Sequence, residues 1–328
     1  MAVNLPPQYH EAEARYKKGK TPEEKLAALR EMWVILPKHK ASEKVQVILK
    51  TTISELVDEI EQAKSGPKKA APGTYKIPRQ GAGQVVFLGP PNAGKSTLLT
   101  KLTKATPTVA PYPFTTREPI PGMMDFDDVR IQLIDLPPVT AEAYEPFVTD
   151  ITRAADAAVL FLDLADDDGP AATQATIDRM KLARRLLVSA KTADDDPTVY
   201  ALPTLLAMTK FDDEAADVRL EIAKDAFPFP AHVVSAERGD GLTELRAGLF
   251  NLLGVMRIYS KLPGKPADMT APFTVPIGAS VSEFAGRVHN EFEEKLKNAR
   301  VWGSAAFDGQ TVGRDHILQD RDVVELHV

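Results

Sequence analysis

The run Gly89-Pro-Pro-Asn-Ala-Gly-Lys-Ser96 fits G-x-x-x-x-G-K-[ST], follows the apolar stretch Gln84 to Leu88 and opens a helix-like segment. Those residue types at that spacing bind phosphate. Glycines let the backbone turn several N–H groups inward, the helix N-terminus adds its dipole, and a lysine neutralises the β- and γ-phosphates. The residues expected to hold a nucleotide here are Gly89, Asn92, Ala93, Gly94, Lys95, Ser96 and Thr97, with the Ser96 hydroxyl on Mg²⁺.

Further groups follow in the order that a guanine-nucleotide hydrolase requires. Pro113-Phe-Thr-Thr116 lies about 20 residues beyond the loop, where a threonine completes the Mg²⁺ shell; Thr116 is favoured over Thr115. Asp135 closes the strand-like VRIQLID and would reach the ion through water, so Lys95, Thr116 and Asp135 form the expected catalytic set. Thr209-Lys-Phe-Asp212 closes TLLAMTK. A carboxylate at Asp212 can accept from guanine N1–H and N2–H₂, donors that adenine lacks, which disfavours an ATPase or kinase. The Lys210 stem would lie along the base, and Ser235-Ala236 would offer a backbone N–H to guanine O6. The motif departs from the usual N-K-x-D by its threonine.

These residues need strand ends to carry them. From Gln84 onward QVVFLG, VRIQLID, AAVLFLDL, TLLAMTK and AHVVSA alternate with helical stretches, the pattern of a mainly parallel sheet with helices on both faces. Before it, residues 22–63 carry helical periodicity, with Val45, Leu49, Ile53, Leu56 and Ile60 on one face, and read as a helical hairpin. After about residue 255, RIYSKL, PFTVPI, one helix at SVSEFAGRVHNEFEEKL, ARVWG and DVVELHV read as a small α+β module. The expected division is 1–64 helical, 65–83 a Gly/Pro/Lys linker, 84–255 the nucleotide-binding domain and 256–328 the terminal module.

GPPNAGKSTLLTKLT, YPFTTREPIPG and IQLIDLP resemble the G domain of the Obg superfamily, and of its developmentally regulated GTP-binding (DRG) proteins in particular. VWGSAAFDGQTVGRDHILQDRDVVELHV is similar to the TGS domain that ends those proteins, and KHKASEKVQVILKTTISELVDEIE to their N-terminal helical segment. The resemblance implies an α/β, Ras-like P-loop GTPase domain followed by a β-grasp TGS module, GTP/GDP and Mg²⁺ as ligands, and a ribosome, RNA or a TGS-bound protein as partner. It also implies that Asn92 can help hold K⁺ against the phosphates. The large insertion that the family carries after switch II is missing.

One departure touches mechanism. The family's D-x-P-G reads Asp135-Leu-Pro-Pro138, so the glycine whose N–H bonds the γ-phosphate is a proline with no N–H to give. Val139 follows, where Ras-like enzymes place the glutamine that positions water, although the whole family is apolar there. An adaptor with weak or no hydrolysis is therefore the competing expectation.

Composition narrows the rest. The chain has 328 residues, 44% hydrophobic and 26% charged, and no cysteine, which excludes thiol nucleophiles, Cys-ligated zinc and disulfides. Its six histidines show no zinc-binding spacing. No apolar stretch is long enough for a membrane span and the N-terminus has no export signal, so a cytoplasmic protein without a membrane partner is expected. Net charge is -6, yet residues 1–80 hold 15 basic against 10 acidic side chains, a surplus that by charge alone suits a solvated helical surface better than contact with a polyanion, and leaves both open.

Overall fold

The computed structural model describes residues 6–19, 21–37, 42–64, 77–103, 118–190, 199–305 and 307–328. It divides into two compact units, residues 1–75 with 192–201 and residues 76–191 with 202–328.

In the first unit the expected hairpin, α2 (Pro22–Ile35) and α3 (Glu43–Lys64), gains a third helix, α1 (Pro7–Lys18). Thr21 caps α2 by accepting from Glu24 N–H while the Glu24 carboxylate returns to Thr21 N–H, satisfying two donors that a helix start leaves free. Tyr9 and Ala12 of α1, Leu29 and Met32 of α2 and Leu49, Ile53 and Val57 of α3 are buried together. Val45 and Leu56 pack against this cluster; the Ile60 side chain lies outside the described residues.

The second unit begins with a seven-stranded sheet. Its order is β2 (Ile120–Phe126), β3 (Val129–Asp135), β1 (Gln84–Leu88), β4 (Ala157–Asp163), β6 (Tyr200–Thr209) and β5 (Arg185–Val188), with β7 (Ala231–Val233) also on β6. β1 runs parallel to β3 and β4, and β6 parallel to β4 and β7; β2 is antiparallel to β3. Alternate residues of β1 face opposite ways. Val85 and Phe87 join the core under α4 (Lys95–Leu102) and α8 (Leu242–Leu252), and Val86 and Leu88 are buried on the other face, where α5 (Pro146–Ala154) and α6 (Gly169–Leu182) lie. The short α7 (Ala216–Ala223) follows β6.

The stretch expected as linker is part of this unit at its end. Ile77 is buried, Gly81 bridges Ile131, Arg79 pairs with Asp156, and Gln80 N–H donates to Gln132.

The terminal module is a five-stranded sheet in the order β11 (Gln310–Val312), β10 (Asn298–Trp302), β12 (Asp322–His327), β8 (Val255–Ser260) and β9 (Phe273–Pro276), with β12 parallel to β8. The single helix expected here is broken in two. His289 is extended (φ -160°, ψ 136°) between α9 (Val281–Val288) and α10 (Asn290–Lys295), and its Nδ1 accepts from Glu291 N–H to cap the second. A Cβ on Gly286 would come within 2.8 Å of the Glu293 carboxylate, so the two short helices fold back closely upon each other. No helix among the described residues is long and apolar enough to cross a membrane.

Candidate functional site

Parallel strands deliver their carboxyl ends to one edge of a sheet, and ligands bind there because the loops leaving those ends can spread apart. Gly89 leaves β1, Asp135 ends β3, Asp163 ends β4, and Thr209 ends β6. A cleft of about 580 Å³ opens at this edge. It is lined by Asn92, Ala93, Gly94, Lys95, Ser96 and Thr97, by Asp135 and Pro138, and by Glu118 and Lys210.

The loop after β1 takes its shape from two left-handed residues. Gly94 (φ 84°) is the N-cap of α4, a conformation costly for a residue with a Cβ, and Asn92 (φ 60°) is of the type that best tolerates it. Lys95 is buried, and its ammonium donates to Gly89 C=O at 3.2 Å and Pro90 C=O at 2.7 Å. Burial pulls its pKa down to about 8, against the opposing pull of Asp135.

Ser96 Oγ donates to Asp135 Oδ2, and Asp135 Oδ1 is buried with no hydrogen-bond partner among the described residues. Burial raises the Asp135 pKa, while Ser96 and then Lys95 lower it. An unpaired buried carboxylate oxygen beside a hydroxyl is costly to leave without a partner, and it is a donor set suited to a hard cation such as Mg²⁺. Thr116 lies outside the described residues.

Pro138 lines the cleft. Val139 does not: it is fully buried, its N–H donates to Gly89 C=O at 3.1 Å, and its C=O accepts from the Thr176 hydroxyl at 2.8 Å. Residue 139 thus ties the loop to α6 and has no face toward a ligand.

At the other end, the buried Thr209 hydroxyl is shared between Ala93 C=O at 2.9 Å and Leu162 C=O at 3.1 Å. The threonine that departs from N-K-x-D therefore fastens β6 to the phosphate loop and to β4. Lys210 is left-handed (φ 58°) and pairs with Asp163 at 2.5 Å. Asp212 is exposed, and its carboxylate accepts from the buried Ser235 hydroxyl, which in turn accepts from Arg238 N–H at 3.0 Å. Arg238 reaches back to Phe211 C=O at 2.6 Å, closing the loop, and Ala236 packs on the core under the sheet. Sequence reasoning passed over Asp163, Glu118 and Arg238. Asp163 left a signal, a carboxylate closing the wholly buried strand AAVLFLD.

A mainly parallel sheet covered on both faces, with a phosphate-loop sequence after its first strand and an aspartate closing β3, defines a GTP-binding protein of the P-loop GTPase class. Residues 84–199 match the 50S ribosome-binding GTPase family model and residues 256–328 the TGS domain model. Among similar proteins, a GTP-binding protein of Methanocaldococcus jannaschii is 28% identical, over 93% of this chain and 92% of its own. Developmentally-regulated GTP-binding protein 1 of Xenopus laevis is 26% identical, over 88% of this chain and 94% of its own. The solved YchF GTPase of Schizosaccharomyces pombe covers 76% of this chain and 99% of its own at 13% identity, with a TM-score of 0.49. The chain is a homologue of GTP-binding proteins that include the developmentally regulated ones, and its own GTPase match precedes its TGS match.

Proposed function

We propose that the protein binds GTP and GDP with guanine selectivity, hydrolyses GTP slowly with Mg²⁺, and uses the nucleotide state to alter docking on a ribosome or RNA. The observation that carries this reading is the common strand edge: Lys95, Ser96 and Asp135 line one cleft, and Thr209 hydrogen-bonds Ala93 in the loop that leads into Lys95 and Ser96. Ser96, Asp135 and Thr116 would hold the ion, whose charge would offset that of the phosphate oxygens. Asn92, which lines the cleft, is the proposed K⁺ contact. Docking is supported by the basic surplus of residues 1–80, by the TGS domain and by the ribosome-binding description of the matching family model. A partner protein on the TGS domain is compatible with the same reading, as is a cytoplasmic location.

Pro138 favours a second reading, an adaptor that binds both nucleotides and hydrolyses poorly. It lines the cleft and has no N–H for the γ-phosphate. Single-turnover hydrolysis of GTP with Mg²⁺, in the presence and absence of K⁺, separates the two. Conversion to GDP supports the first reading, whereas binding without conversion leaves the adaptor.

A further inference from the structure

Hydrolysis is accelerated by a side chain that accepts a proton or a hydrogen bond from the attacking water and so orients it. The segment after Asp135 supplies no such side chain here. Leu136 is apolar, Pro137 and Pro138 have neither N–H nor polar side chain, and both polar backbone groups of Val139 are engaged away from the cleft.

The strand opposite that segment does supply one. In the antiparallel β2–β3 pair Ile120 stands opposite Asp135, so the chain entering β2 runs beside the residues leaving β3. Glu118 sits there, two residues before Ile120, and lines the same cleft as Lys95, Ser96, Asp135 and Pro138. The next residue, Pro119, is buried and has a fixed φ, which holds the backbone that carries Glu118. Among the described residues Glu118 has no hydrogen-bond or ion-pair partner. A carboxylate without a partner in a cleft for polyphosphate opposes binding by like-charge repulsion, so its presence calls for a chemical role.

We infer that Glu118 is a catalytic residue whose carboxylate accepts a hydrogen bond from the attacking water; the inference rests on the GTPase reading above. The water oxygen bonds to the γ-phosphorus, and the bond from that phosphorus to the β–γ bridging oxygen breaks, its electron pair leaving on GDP. The proton that the water loses passes by way of Glu118 to the product phosphate, and no other reactant is needed.

The test is single-turnover hydrolysis by Glu118→Gln and Glu118→Asp in the full chain, with affinities for GDP and a non-hydrolysable GTP analogue measured alongside. Gln keeps the size and hydrogen-bonding reach but not the basicity. It is expected to slow turnover by about 10²-fold, the lower end for a lost acid–base group, with neither affinity weakened by more than about threefold and the Mg²⁺ half-saturation unchanged. Asp should recover part of the rate. Parental turnover by Glu118→Gln overturns the inference. So does a variant that binds the analogue more tightly and turns over faster, which would make Glu118 a repeller of triphosphate. A tenfold rise in the Mg²⁺ requirement would make it a metal ligand instead, and also overturns the assignment. Failure of the parent protein to hydrolyse GTP removes the GTPase reading itself, and is told apart because it needs no variant.

Discussion

Lys95 is a cation held where water is scarce, and its pKa of about 8 has a consequence for binding. Phosphate favours the charged ammonium, so its pKa in the complex lies above that in the free protein, and binding above pH 8 takes up a proton. GTP and GDP affinity is therefore expected to fall as pH rises past 8, by up to about tenfold per unit, and to be independent of this group below about pH 7. Calorimetry in two buffers of different protonation enthalpy reads the uptake, and Lys95→Ala should bind more weakly with that dependence gone. Asp212→Asn replaces an acceptor with an amide that presents its own donors to guanine. GTP should weaken by roughly 1.5 to 3 kcal/mol and xanthine nucleotides should gain; equal GTP affinity would remove Asp212 from the site. At Pro138, Ala and Gly both restore an N–H, and Ala does so with less added chain freedom. Each should tighten a non-hydrolysable GTP analogue relative to GDP by roughly 1.5 to 3 kcal/mol. An unchanged ratio in both variants would mean that residue 138 does not read the γ-phosphate.

At the scale of elements, the turn between β2 and β3 is one place where the G domain meets the TGS module. Arg257 of β8, itself buried, reaches Asp127 at 3.0 Å and Asp128 at 3.3 Å in that turn as well as Asp320 of its own module. Tyr259 donates to Asp128, and Arg321 pairs with Asp127 at 2.9 Å. Hydrogen bonds that Arg257 donates to the Asp320 carboxylate foremost hold its pKa above the ordinary value, against the effect of burial. β2 and β3 connect this joint to Glu118 and Asp135 at the cleft. Arg257→Met keeps much of the packing on Phe250, whose ring centroid lies 5.0 Å from the guanidinium, and removes the charge. The cost is expected to be roughly 1 to 3 kcal/mol, below that of a fully buried pair because Asp127 and Asp320 are half exposed and can rehydrate. Chemical denaturation reads it, and a cycle with Asp128→Asn should show a coupling that distant charge pairs lack.

Over the whole molecule the basic surplus of residues 1–80 is the feature that points to a polyanion. Ile77 and Arg79 belong to the nucleotide-binding unit, so a truncation that spares them ends at residue 75 and leaves residues 192–201 of the first unit in place. Such a truncation should bind nucleotide as before, co-sediment less with ribosomes, and show a shallower salt dependence; unchanged co-sedimentation at every salt concentration would leave the arm with no role in docking. Much of this architecture was legible in the sequence, because local rules write it there: buried strands need continuous apolar runs, a phosphate loop needs glycine at left-handed positions, and strand ends are where polar residues reappear. Short elements were not legible. α1 lies in the stretch expected to be helical but was not read as an element of its own although Tyr9, Ala12 and Tyr16 recur at helical spacing, β11 is only three residues long, and the break at His289 depends on the fold-back of α10 rather than on any breaker residue. The groups across the cleft were hidden for a different reason. Asp163 meets Lys210, Val139 turns inward to Gly89 and Thr176, and Glu118 reaches the cleft that Pro138 lines only through strand pairing between residues far apart in the chain. Sequence alone determined which residue types lie at the ends of which strands. Tertiary structure decided which of them face one another, because the order and register of strands come from packing the whole sheet at once.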